Sequence, residues 1–82
     1  SIDPAVPADE AVDFQLLNSA LTDAVEQLPE RCRIIFKLAK EDGMSHREIA
    51  AALDISPSTV EGQLAIAMRR LKAAAAPFLK KI

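Results

Sequence analysis

Between Ser56 and Arg70 the chain carries two sets of side chains suited to nucleic acid. In "SPSTVEGQ" the hydroxyls of Ser58 and Thr59, the carboxylate of Glu61 and the amide of Gln63 surround Gly62 at what reads as the opening of a helix. An amide there can bond adenine in two places and a carboxylate can accept from the amine of cytosine, each good pairing discriminating by about 1–3 kcal/mol. Helices that read duplexes present their N-terminal residues to base edges. Ser58, Thr59, Glu61, Gly62 and Gln63 are therefore the candidates for base reading. Arg47, Arg69 and Arg70 offer cations for phosphates, and Ser56 with Ser58 stands beside free helix-start amides that suit another phosphate. Each set also has a plainer reading. The first is equally a solvated polar face, and Arg69 and Arg70 would also complement the negative end of a helix dipole if the helix stopped soon after them. Gly62 costs a helix about 1 kcal/mol relative to alanine, which calls for packing or close approach of another backbone.

Other chemistries find little support. His46 has no second ligand at useful spacing and Cys32 falls on a core-facing position, so neither a metal site nor a cofactor is expected. There is no glycine-rich phosphate loop and no nucleophile-base arrangement, which argues against an enzyme. With no Trp, no Tyr and three Phe, a stacking surface for single strands is not expected, leaving duplex, protein or small-molecule partners. One cysteine cannot form an internal disulfide, and no apolar run approaches the roughly 18 residues of a membrane span. The opening "SIDPAVPADEA" has neither initiator Met nor signal-peptide pattern, so a piece of a longer cytoplasmic protein is expected. The net charge of −2 hides an asymmetry: residues 1–28 hold six acids and no base, whereas 29–82 hold all ten Lys and Arg against six acids, hence −6 and +4. A locally basic body is compatible with a polyanion.

These groups need a frame, and the apolar spacing supplies an all-α one. Residues 1–10, with Pro4 and Pro7, read as a flexible lead, and residues 11–82 as one small four-helix domain. Phe14, Leu17, Leu21, Ala24, Val25 and Leu28 recur at steps of three and four, predicting a first helix from about Ala11 to Gln27. Pro29 suits the first position of a second helix, Cys32, Ile35, Phe36 and Ala39 its inner stripe, and Gly43 a left-handed exit. Ser45 and Glu48 make a capping box for a short third helix that turns Ile49, Ala50 and Leu53 inward. Ser56 caps and Pro57 begins a fourth, with Val60, Leu64, Ala67, Met68 and Leu71 buried. It should stop at about Ala75, because Pro77 lacks an N–H and would clash with the carbonyl of Ala73. The tail beyond either packs on the first helix or serves as a docking tail.

The third and fourth helices together read as a C-terminal helix-turn-helix, with Ala50 permitting close approach and Ile49, Leu53, Ile55 and Val60 filling the wedge. At 100° per residue, Ser58, Gly62, Ala65, Ile66 and Arg69 lie opposite the buried stripe. The stretch "LPERCRIIFKLAKEDGMSHREIAAALDISPSTVEGQLAIAMRRLK", Leu28 to Lys72, resembles region 4 of bacterial sigma factors, in particular the extracytoplasmic-function group. The likeness rests on "LPERCR", the step F-x-L-x-x-x-x-G-x-S, "REIA", the turn IS-x-x-TV and the closing A-x-x-R-L, in that order.

The resemblance implies a DNA-binding domain that helps RNA polymerase recognise the −35 promoter element, with the fourth helix in the major groove and another surface docked on the flap of the polymerase β subunit. An anti-sigma factor is a further partner it brings into view. Relatives commonly carry Lys, Arg or His at positions matching Glu61, Gln63, Ala65, Ile66 and Met68, so this reading face is poor in charge. That departure, with Ile66 expected outside, leaves room for a sigma-like domain that binds protein without reading DNA. The LuxR-type domain of response regulators shares "REIA" and IS-x-x-TV and is a third possibility. Arg31, Arg33, Lys37 and Lys40 could serve DNA, polymerase or only water.

Overall fold

The computed structural model describes residues 13–79. The predicted lead, residues 1–10, lies outside them, as does Ile82 of the tail. Four α-helices follow one another with no strand among the described residues: α1 (Phe14–Glu26), α2 (Glu30–Lys40), α3 (His46–Leu53) and α4 (Pro57–Leu79). The all-α reading is borne out, and each boundary has a local cause.

Asp13 has extended backbone, and its carboxylate accepts from the N–H groups of Gln15 and Leu16 at 3.1 Å each, so α1 starts at Phe14 rather than near Ala11. Pro29 stands one position earlier than expected, as the N-cap of α2. Glu30 in the first turn and Lys37 and Lys40 in the last complement the dipole of that helix. Gly43 takes the expected left-handed conformation at φ +64°. The capping box of α3 is complete: the Ser45 hydroxyl accepts from the Glu48 N–H at 3.1 Å, and the Glu48 carboxylate accepts from the Ser45 N–H at 2.8 Å. At the far end of α3, Asp54 adopts φ +55° and the Ile55 N–H reaches the Ala50 carbonyl at 3.0 Å. An aspartate tolerates this left-handed geometry better than most residues.

Two apolar clusters share α4 as their common wall. Ile35, Ile49, Ala50, Val60 and Leu64 form the larger, sealed by Phe36, Leu38, Ala39, Met44, Leu53 and Ile55. Leu28, Cys32 and Ala67 form the smaller, with Val25, Phe36 and Ile66 against it. Phe36 belongs to both and joins them. α1 lies along α4 and contributes no fully buried residue. Leu17, Leu21, Ala24 and Val25 are half-buried, whereas Phe14, expected in the inner stripe, is 64% exposed.

α4 departs from expectation in length and rotation. It runs through Pro77 to Leu79 instead of ending near Ala75. Pro77 falls in the final turn, where the missing N–H removes a single bond from the ladder, and it follows an alanine run of the highest helix propensity. Ala75 is buried and Phe78 half-buried, so packing holds the last turn in register. Met68, expected inside, is 39% exposed, and Ile66, expected outside, packs against Leu28, Cys32 and Ala67. Leu28 and Cys32 reach α4 on its Gln63–Ala67 side, which covers Ile66 and leaves Met68 on the open flank.

Two outcomes test this packing. Ala50→Leu should cost about 1–3 kcal/mol in urea unfolding, since α3 and α4 must separate to admit the added carbons. Ser45→Ala should cost about 1 kcal/mol at neutral pH. The Ser45 backbone N–H, followed by its hydroxyl, holds the Glu48 carboxyl below its ordinary value. A carboxyl depressed in the folded state contributes fully above the usual carboxylate range and loses that contribution as pH falls through the lowered folded value. Thermal unfolding from neutral to strongly acid pH should therefore show a shallower acid decline in Ser45→Ala.

Candidate nucleic-acid interface

The opening of α4 is built by its cap. The Ser56 hydroxyl accepts from the Thr59 N–H at 3.0 Å and lies 2.9 Å from the Thr59 hydroxyl, while the Val60 N–H donates to the Ser56 carbonyl at 3.2 Å. Ser56 and Thr59, expected to meet phosphate and base respectively, thus also bind each other and fix the first turn. Thr59 is half-buried as a result. Ser58 is exposed at the same turn.

Further along, Ser58, Gly62, Ala65 and Arg69 make one exposed stripe on α4. Their steps of four, three and four keep them on a single face, and Ser58 and Arg69 stand about 16 Å apart along the axis at 1.5 Å per residue. Everything between them is small. Gly62 has open space around it: a Cβ built there meets nothing within 4 Å. Among the described residues nothing packs closely enough on Gly62 to require a glycine, which leaves the close-approach reading. Gln63 is half-buried on the edge of this stripe, and its carbonyl accepts from the Cys32 thiol at 3.3 Å. Cys32, 1% exposed, is the buried small hydrophobe it was expected to be, and its burial pushes the thiol pKa up.

The cations divide into two groups. Arg33 donates through Nη1 to the carbonyls of Glu26 and Leu28 at 3.3 Å each, and Lys37 pairs with Glu26 at 2.9 Å. These two α2 side chains close the C-terminal end of α1, and Lys37 holds the Glu26 carboxyl below the usual range. Arg47, Arg69 and Arg70 are exposed and form no ion pair among the described residues. Because α4 continues to Leu79, Arg69 and Arg70 sit well inside it, and the dipole explanation for them lapses: the interaction is confined to the last turn, which holds no base among the described residues.

The sequence reading missed one contact. His46 Nδ1 of α3 lies 3.7 Å from Glu61 Oε1 of α4, with both side chains substantially exposed. Only the crossing of the two helices brings them together, and no spacing along the chain signals it. No group of three or more metal-binding side chains occurs among the described residues, and no helix there is long and apolar enough to cross a membrane.

A capped short helix, a left-handed turn at Asp54 and a long helix carrying an exposed N-terminal stripe define a helix-turn-helix domain of the DNA-binding kind. The model of the family "Sigma-70, region 4" matches residues 18–71, which takes in most of α1, all of α2 and α3, and α4 as far as Leu71. The chain belongs to that family, whose members are DNA-binding, non-enzymatic domains of sigma factors. No curated protein and no solved structure matches the chain.

Gly62→Ala should raise stability by about 0.5–1 kcal/mol, because the added methyl enters open space and the helix loses its most flexible residue. Urea or thermal unfolding reads this directly, and a destabilised variant would contradict the open environment described.

Proposed function

We propose that this chain is the −35 promoter-binding module of a sigma factor of the extracytoplasmic-function group, acting with RNA polymerase in transcription initiation. The observation that carries the reading is the exposed stripe from Ser58 through Gly62 and Ala65 to Arg69 on a helix whose opposite face, at Val60 and Leu64, packs on α2 and α3. A major groove about 12 Å wide admits such a helix. With only small side chains between its ends, the helix backbone can come close to the duplex. Ser58, Thr59, Glu61, Gly62 and Gln63 would face base edges, and Arg47, Ser56, Arg69 and Arg70 would hold phosphates on either side. The departure of Arg69 and Arg70 from the helix end supports this assignment, since the competing role no longer applies to them.

Family membership supports DNA and RNA polymerase as partners, and the reading proposes double-stranded promoter DNA, the β flap of the polymerase core and an anti-sigma factor as regulator. The reading as a protein-binding domain without DNA recognition loses one of its two motives, because Ile66 is half-buried in the smaller cluster, and keeps the other, the charge-poor face of α4. Family membership favours the sigma reading over the LuxR-type one.

Few cations face the duplex, so the isolated chain should bind it weakly, at about 10⁻⁴ M or above at physiological salt. Polymerase and further sigma domains would supply the remaining affinity through effective concentration. In fluorescence anisotropy titrations, replacing both Arg69 and Arg70 by Ala should weaken binding to every duplex alike and lower the slope of log K against log salt by about 2. Loss confined to one sequence would contradict the phosphate role. Gly62→Ala, though more stable, should bind less tightly. If a promoter-sized duplex at low salt moved no amide resonance of α3 or α4, the reading would fail.

A further inference from the structure

Glu61 is the one charged residue between Pro57 and Met68, and it is an acid on the face assigned to a polyanion. Left alone, a carboxylate there opposes every phosphate that approaches. Among the described residues it has one basic neighbour, the imidazole of His46 at 3.7 Å, which is of opposite sign when protonated. His46 opens α3 within the capping box, between Ser45 and Glu48, so the cap that starts the helix also fixes where this residue's backbone stands.

We propose that His46 is a positioning residue for Glu61: protonated, it holds the carboxylate at the rim of α4 and offsets its charge, so that duplex binding strengthens as pH falls. The inference rests on the DNA-binding reading above and concerns the regulation of the same face. Glu61 is the charged group that α4 brings to this place. On α3 the neighbours are Arg47, exposed and unpaired among the described residues, and Glu48, whose carboxylate is taken up by Ser45. α2 and the turn after it carry Lys37, engaged by Glu26, and Lys40, Glu41 and Asp42, none of which pairs with the imidazole. His46 is the chain's one histidine, and histidine ordinarily titrates near pH 6.5.

Glu61 bears the charge and His46 governs how much of it the duplex meets. An exposed pair of this kind changes an equilibrium by about two- to five-fold. The test measures anisotropy of a labelled duplex of arbitrary sequence at fixed low ionic strength, at about pH 8 and about pH 5.5. The 82-residue chain is compared with His46→Gln and Glu61→Gln. The parent should bind about two- to five-fold more tightly at the lower pH. His46→Gln should stay near the parent's pH 8 affinity at both values, and Glu61→Gln should bind more tightly than the parent at pH 8 with little further gain on acidification. A full pH response retained in Glu61→Gln would mean that the imidazole meets phosphate itself, and would overturn the proposal. A flat parent profile with measurable binding would overturn it while leaving the DNA-binding reading intact. Absence of binding by all three chains at both pH values would sink both together.

Discussion

α3 and α4 can cross closely only because Ala50 sits where they meet. It is 4% exposed within the cluster of Ile35, Ile49, Val60 and Leu64, and a methyl group is all the thickness that contact allows. The helix dipoles, caps and turn geometry could form with other residues at this point, but the angle between the helices could not. From that crossing follow the exposure of the Ser58–Arg69 stripe, the left-handed break at Asp54 and the meeting of His46 with Glu61. Fully buried apolar side chains stabilise by about 1.5–3 kcal/mol each, so the few that are sealed here carry much of a small domain's stability.

The other end of the molecule is held by different means. α1 buries no residue completely, and its attachment combines half-buried apolar contacts along α4 with a polar closure at its C-terminus, where Arg33 reaches two carbonyls and Lys37 reaches Glu26. Exposed ion pairs of this sort contribute little individually. The guanidinium does more by satisfying carbonyls at a helix end that would otherwise need water. Two of the basic residues that gave the second part of the chain its positive charge are thereby committed to the acidic first part.

What was legible in the sequence was local. Ser45 with Glu48, Ser56 with Pro57, and Gly43 each mark a boundary by chemistry within three or four residues, and each boundary stands where that chemistry requires. The order of motifs from "LPERCR" to A-x-x-R-L was enough to reach the family. Legibility failed where a distant element decided. Pro77 stays helical because Ala75 and Phe78 are packed, a fact about the surroundings rather than the proline. Met68 and Ile66 exchanged places because Leu28 and Cys32 reach one flank of α4 and not the other. The base-reading candidates were named from position in the helix, but the engagement of Thr59 with Ser56 and of Glu61 with His46 depends on geometry that helical periodicity does not encode.

α4, 23 residues and about 34 Å long, runs through much of a body whose extents are 49 × 20 × 17 Å, and no loop interrupts it. Its half near Ser58 packs on α2 and α3 through Val60 and Leu64, and α1 lies along it as well. Ala67 and Val60 are both fully enclosed, so a rod of this kind could turn near Ala67 only if the α2–α3 contacts at Val60 and Leu64 moved with it. A tilt of about 5° there swings Ser58, about 13 Å away along the axis, through about 1 Å. Displacements of that size separate a made hydrogen bond from a broken one. Whatever seizes the Leu79 end of this rod thus acquires a mechanical grip on the tip at the opposite end, transmitted through continuous backbone.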